Sequence, residues 1–359
     1  MSEFLRKELR SLAPYVPGEQ PKDGKPLIKL NTNESPFPPS EKVLKALSEA
    51  ECAKLNLYSD PTEMALKQAI ADFYSVKPEN VVCSNGSDEM LAFAFYAFCN
   101  KESGVQFASV SYGFYPVFAN LFGLPQKIHE VNERFEIEIE PYIKESATAV
   151  IANPNAQTGH FLPLCEIERL VASDPARVVI IDEAYVDFGA ESAVPLTKKY
   201  KNLLVVQTFS KSRSLAGARV GFAVGSDELI SDLERVRNSF NPYNVNRLSL
   251  LAATEAIKDK AYFTECTEAV KAARADTASA LRKMGFEILG EYANFLMARH
   301  SEIGGKELNL ALREKGILVR HFTDPKISDF NRITIGSKAQ MQELVDAVCD
   351  ILTSRKETV

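Results

Sequence analysis

Hydrophobic and polar positions change their period several times along the chain, and each change marks a different kind of element. Residues 12–40 carry seven prolines (Pro14, Pro17, Pro21, Pro26, Pro36, Pro38 and Pro39) with Gly18 and Gly24, broken only by the apolar piece LIKL. Such a segment reads as an extended arm laid over something else. From Glu41 the pattern becomes helical (KVLKALSEA). The middle third alternates short β-rich runs with helical ones: NVVCS before the apolar helix EMLAFAFYAFC, then VQFASV, KIHEV and TAVIANP. RVVIIDEAYVDF and NLLVVQTFS are continuous apolar runs, as expected of strands buried on both faces. This alternation predicts an α/β fold with a doubly wound, mostly parallel sheet. From about residue 228 the chain turns helical, and Lys258–Met284 reads as one long helix. A smaller α+β region follows, with FEILGEYANFLMAR, a helix around LNLALREK, then ILVRHF, RITIG and a last helix near MQELVDAVCDIL. The expected organisation is a large α/β domain over 41–260 and a small α+β domain over 261–359, joined by the N-terminal arm 1–40.

Composition narrows the function. With 42 basic and 48 acidic residues among 359, the net charge of −6 lacks the footprint of a nucleic-acid binder. Any anionic ligand must be held by a few placed cations. Cys52, Cys83, Cys99, Cys165, Cys266 and Cys349 make no C-x-x-C pair and read as free, buried thiols of a reducing compartment. The four histidines are scattered, so no metal site is expected. The charged start MSEFLRKELRSL does not read as a signal peptide, and no apolar run approaches a membrane span, which makes a cytoplasmic location the expectation.

In a parallel sheet, ligands gather beyond the carboxyl ends of the strands. Three segments place polar residues there. Ser84-Asn85-Gly86-Ser87-Asp88 joins a strand to a helix and offers free N–H groups at a positive helix end, a phosphate cradle or simply a cap. Asp182 and Glu183 end an apolar strand, where a carboxylate is costly unless it meets a cation or donor. Lys211 follows a buried strand between Ser210 and Ser212 and precedes Arg219 by eight residues. A lysine desolvated beside another cation becomes a usable nucleophile toward an aldehyde. Anion cradle, strand-end acid and activated amine together suit pyridoxal phosphate. A nucleotide-dependent enzyme and a non-catalytic α/β protein stay open on this ground alone, although no GxxxxGK[ST] loop is present.

These segments resemble the fold-type I pyridoxal-phosphate aminotransferases, and among them the histidinol-phosphate aminotransferases. The likeness runs through LAPYVPG, LNTNESPFPPS, NLYSDP, CSNGSDEML, SYGFYPVF, NPNAQTG, IIDEAYVDF, TFSKSRSLAGARVGF, ANFLMAR, GILVRHF and RITIG. It implies that Lys211 bonds the cofactor aldehyde and shuttles protons, that Asp182 pairs with the ring nitrogen, and that Tyr185 bonds the ring 3-oxygen. Gly86, Ser87 and Asp88, with Ser210 and Arg219, would hold the phosphate. Tyr112 would stack on the ring, and Tyr58 would reach the partner subunit's cofactor phosphate in an obligate homodimer. The family's NPTG Asn falls here on Ala156, which leaves either Asn155 as the substitute through a shifted loop or Tyr185 carrying the contact alone. On the substrate side, Arg332 and Arg320 would bind carboxylate and phosphate, since the guanidinium fork matches both. Tyr15 and Asn33 would close over the substrate from the arm. The implied reaction converts L-histidinol phosphate and 2-oxoglutarate to imidazole-acetol phosphate and L-glutamate. Aromatic-amino-acid aminotransferases and a threonine-phosphate decarboxylase share the scaffold and differ in the pocket.

Overall fold

The computed structural model describes residues 4–20 and 27–358; Pro21, Gly24 and Pro26 of the expected arm lie outside them. Twelve strands form two sheets among the described residues. β1 (Ile28–Leu30) belongs to the smaller one. β2 (Val81–Ser84), β3 (Val105–Ala108), β4 (Gln126–His129), β5 (Thr148–Ala152), β6 (Val179–Asp182), β7 (Leu203–Thr208) and β8 (Gly221–Val224) build the larger one. Their order is β2-β8-β7-β6-β5-β3-β4. Parallel pairing joins β4, β3, β5, β6 and β7, as the alternating pattern predicts. The exception is β8, antiparallel to both its neighbours. Its apolar run GFAV follows directly on the Lys211–Arg219 loop and hides inside that motif.

The apolar strands divide their side chains between two cores. Val179 and Ile181 of β6, with Leu203 and Val205 of β7, pack on one face; Ile180, Leu204 and Val206 pack on the other. Each such burial contributes about 1.5–3 kcal/mol. Period-two alternation then decides the fate of the two acids at the end of β6. Asp182 shares the face of Ile180, whereas Glu183 turns to the opposite one.

The smaller sheet runs β1-β11-β12-β10-β9 and uses β9 (Phe286–Ile288), β10 (Phe295–His300), β11 (Ile317–His321) and β12 (Asn331–Thr334). The apolar piece of the arm is therefore an edge strand, parallel to β11. The expected long helix over Lys258–Met284 is present as Lys260–Lys283, separated at Asp259 from a preceding helix over Arg247–Lys258. Asp259 leaves helical geometry (ψ 68°) and binds Lys42 at 2.7 Å. Cysteine burial also departs from expectation: Cys83, Cys99 and Cys266 are buried, while Cys52, Cys165 and Cys349 are exposed. No helix among the described residues is long and apolar enough to cross a membrane.

Candidate active site

Because β8 runs antiparallel to β7, its start lies at the same edge of the sheet as the ends of β2, β5, β6 and β7. That edge and the arm enclose a cavity of about 880 Å³. Asp182 and Tyr185 enter it from the end of β6, Lys211 from the loop after β7, and Ser87 and Asp88 from the turn after β2. The smaller sheet adds Arg320 and Arg332, and the arm adds Tyr15 and Asn33. Among the described residues no cluster of His, Cys, Asp or Glu is suited to a metal ion.

Burial sets the electrostatics. The Lys211 amine is held down to about 8, first by desolvation and then by Arg332. It donates to the Thr32 carbonyl at 3.2 Å. Desolvation pushes Asp182 up to about 6, against the hydroxyl of Tyr115, which donates to Oδ2 at 2.9 Å, and the Ala184 N–H, which reaches Oδ1 at 3.2 Å. Glu183 behaves differently. It rises to about 7 through burial, but its oxygens are taken by the Ala193 N–H, Ser192 and Gln207 behind the sheet. Only Asp182 of the two is a site residue.

The anion cradle forms where the helix Ser87–Phe98 begins. Gly86 is its N-cap at φ +85°, and a Cβ there would lie 2.5 Å from Arg219 Nη2. Gly221 is needed for the same close approach, since its Cβ would meet Ser87 N at 2.4 Å. Arg219 reaches Asp88 at 3.3 Å and Ser210 Oγ at 3.4 Å. Free N–H groups at a helix start, a hydroxyl and a guanidinium make a phosphate-sized donor set. Tyr112 donates to Asp88 at 2.7 Å and borders the same cavity.

Arg320 and Arg332 are direct cross-strand partners of β11 and β12. Like charges placed opposite each other destabilise a sheet, and an anion between them would relieve that cost. Arg332 is half-buried and spends Nη1 on the Ala156 carbonyl at 2.9 Å, while its buried Nε has no partner among the described residues. Arg320 holds the arm through the carbonyls of Val16 and Pro17. Tyr15 stacks on Phe114 at 4.3 Å.

Two expected residues are not brought here. Asn155 is buried with its side chain turned inward: Nδ2 donates to the Val110 carbonyl, and Oδ1 accepts from Gln157 N and Thr158 N. It borders a separate cavity of about 480 Å³. As the substitute for the missing asparagine it is corrected: its amide is consumed in shaping the loop. Tyr58 lies outside the cavity, 78% exposed and stacked on Tyr243 at 4.5 Å. Asn33 is reached by the cavity yet buried, its amide engaged by Tyr185 and Thr334. Sequence reading missed Tyr115, Thr208 and Gln157. Thr208, the last residue of β7, donates to Ser210 Oγ at 3.0 Å, and its position after an apolar run was the available signal. Gln157 enters the cavity beside Ala156.

A buried amine, a strand-end carboxylate and an anion cradle meeting at one sheet edge are matched by a family model. Residues 25–348 fit the description "Aminotransferase class I and II". The chain belongs to that family. Among curated relatives it is 47% identical over 352 residues to a histidinol-phosphate aminotransferase of Clostridium botulinum (strain Okra / Type B1), covering 98% of this chain and 99% of the relative. It is 49% identical to histidinol-phosphate aminotransferase 2 of Rhizobium meliloti (strain 1021), covering 98% and 100%. Among solved structures, histidinol-phosphate aminotransferase from Sinorhizobium meliloti in complex with pyridoxal-5'-phosphate superposes with a TM-score of 0.78 at 24% identity, over 91% of each chain.

That solved structure holds pyridoxal-5'-phosphate, and the residues gathered at this sheet edge fit such a group. Asp182 is a buried carboxylate with no cationic partner among the described residues, the place a protonated ring nitrogen would fill. The missing Cβ at Gly86 lets the Arg219 guanidinium close over the helix start, which sets a cation beside the N–H groups a phosphate would meet.

Proposed function

We propose that the chain transfers an amino group between L-histidinol phosphate and 2-oxoglutarate, yielding imidazole-acetol phosphate and L-glutamate. The observation that carries this reading is the pair of anion sites in one cavity: Arg219 with the helix start at the larger sheet, and Arg320 with Arg332 from the smaller. One suits the cofactor phosphate. The other suits whichever anion the substrate brings, a glutamate carboxylate or the phosphate of the amine. The near-full-length identity to two histidinol-phosphate aminotransferases supports the substrate.

When bound, pyridoxal phosphate supplies an aldehyde for the amino group and a ring that draws off electrons as Cα loses its proton. Gly86, Ser87, Asp88, Ser210 and Arg219 would hold it by its phosphate, and Tyr112 would pack against its ring. Asp182 would keep a proton on the ring nitrogen, and Tyr185 would give a hydrogen bond to the ring oxygen. Lys211, with its depressed amine, takes and returns the proton at Cα. Arg332 and Arg320 orient the substrate, and Tyr15 closes the arm side.

The same reading makes the protein a cytoplasmic homodimer whose large unit is 41–260, whose small unit is 261–359 and whose arm is 1–40. Tyr58 would reach the phosphate held by the partner subunit; its exposure, with Leu55 and Leu57 exposed beside it, supports this. The test is a half-reaction. Cofactor-loaded protein is mixed separately with histidinol phosphate, glutamate, phenylalanine and tyrosine, and the loss of visible absorbance is timed. Fast conversion by the first two and slow conversion by the aromatics is expected. Conversion by the aromatics alone would overturn the substrate, and sedimentation of a monomer would overturn the dimer.

A further inference from the structure

Asn33 is held by bonds that fix which side-chain atom is which. Its backbone N–H donates to Thr334 Oγ1 at 2.9 Å, so the threonine hydroxyl sends its own hydrogen elsewhere. That hydrogen goes to Asn33 Oδ1 at 3.0 Å. Oδ1 is thereby the acceptor, and the amide nitrogen faces the Tyr185 hydroxyl at 2.9 Å. An NH₂ group only donates. The tyrosine oxygen must accept, and its own hydrogen is released for something other than Asn33. Among the described residues that hydroxyl has no second partner. Tyr185 borders the cavity, with the Lys211 amine 5.9 Å from its ring centre.

We infer that Asn33 is a positioning residue: by donating to Tyr185 it turns the tyrosine O–H into the cavity, where it serves the cofactor's ring oxygen. The inference rests on the role given to Tyr185 above. It makes Asn33 something other than part of a cover over the substrate. Its backbone is in the left-handed region (φ +55°), which asparagine tolerates, and its carbonyl accepts from Asn294 Nδ2 at 3.0 Å. One amide thus joins the segment after β1, the smaller sheet through Thr334, and the larger sheet through Tyr185.

A hydrogen bond to the ring oxygen stabilises negative charge there, so the nitrogen joined to Lys211 holds its proton less firmly. Losing the bond should move that proton's titration upward. The charged groups facing Tyr185 and Lys211 are Asp182, Asp88, Glu34, Arg332 and Arg219, and all stay unchanged in the variants.

The experiment titrates the visible absorbance of cofactor-loaded protein across neutral and alkaline pH for four variants: Asn33→Gly, Asn33→Asp, Tyr185→Phe and the Asn33→Gly/Tyr185→Phe double. Glycine accepts the positive φ and keeps both backbone bonds while deleting the amide. Aspartate keeps the shape but accepts only, so Tyr185 must turn its hydrogen back; its added charge raises the midpoint in the same sense, so Asn33→Gly, which adds none, is the deciding variant. Each single variant is expected to raise the midpoint by about half to one pH unit. The double should match Tyr185→Phe alone, because the two residues act through one hydrogen. If Tyr185→Phe shifts the midpoint while Asn33→Gly leaves it in place, the inference is overturned. Additive shifts in the double overturn it as well. If Tyr185→Phe itself shifts nothing, the reading of Tyr185 falls first and the inference with it.

Discussion

Replacing Tyr115 by phenylalanine isolates the interaction that keeps Asp182 ionisable. The hydroxyl donates to Asp182 Oδ2 at 2.9 Å in a buried setting, and Ala184 N–H is the other donor. A bond to an ionised group is worth about 1.5–3 kcal/mol, and one to its neutral form about 0.5–1.5 kcal/mol. The difference of about 1 kcal/mol corresponds to somewhat under one pKa unit, which would carry Asp182 from about 6 toward about 7. The sign follows from linkage. Asp182 has a folded pKa above the ordinary carboxylate value, so its charged form penalises the folded state at high pH. The penalty is relieved as pH falls through the folded pKa toward the unfolded one. Tyr115→Phe deepens the penalty only where Asp182 is ionised. Cofactor-free protein should therefore lose about 1.5–3 kcal/mol near pH 8, and about 0.5–1.5 kcal/mol near pH 5. Urea denaturation at the two pH values measures both. A loss equal at both, or larger in acid, would refute the reasoning.

The depressed Lys211 amine predicts that cofactor uptake by the emptied protein accelerates with pH up to about 8 and then levels; a stopped-flow profile flat across that range would contradict it. Arg332→Ala should lower kcat/KM for glutamate and for the phosphorylated amine alike, by about 30- to 150-fold, as expected for loss of one charged, half-buried donor pair. A loss confined to one substrate would show that the two anions do not share the clamp. Gly86→Ala places a Cβ 2.5 Å from Arg219 Nη2 at a φ of +85°. Equilibrium dialysis should find the cofactor bound at least about tenfold more weakly, from about 1–2 kcal/mol of backbone strain with the displaced guanidinium added. Unchanged affinity would remove the cradle.

Much of the site was legible because it follows buried strands. Lys211 and Asp182 each stand at the end of an apolar run, and such runs mark central strands whose far ends meet. What escaped was decided by side-chain direction. Asp182 and Glu183 are adjacent acids, and only pleat alternation sends one to the cavity and the other behind the sheet. Asn155 and Gln157 are two residues apart in one loop; the first bonds its own turn, and the second reaches the cavity. Tyr112 and Tyr115 sit in one motif, yet only the helix starting at Phe114 places Tyr115 under Asp182. The long helix was legible as well, and only its start was displaced: it begins at Lys260 because Asp259 leaves helical geometry and bonds distant Lys42. β8 was missed because a strand of four residues, following a functional loop, looks like its continuation.

The edge strand β1 has a consequence for how the chain is made. Ile28 pairs with Ile317, about 290 positions later, so this contact is among the least local a chain of such length can form. On the ribosome, β2 through β8 can assemble while β11 is still unsynthesised, and the arm must wait unpartnered with its apolar LIKL exposed. The chain's beginning can dock onto its end only after β11 has been made. Asn33, three residues past β1, arrives with it, so the active site is completed only after nearly the whole polypeptide has emerged.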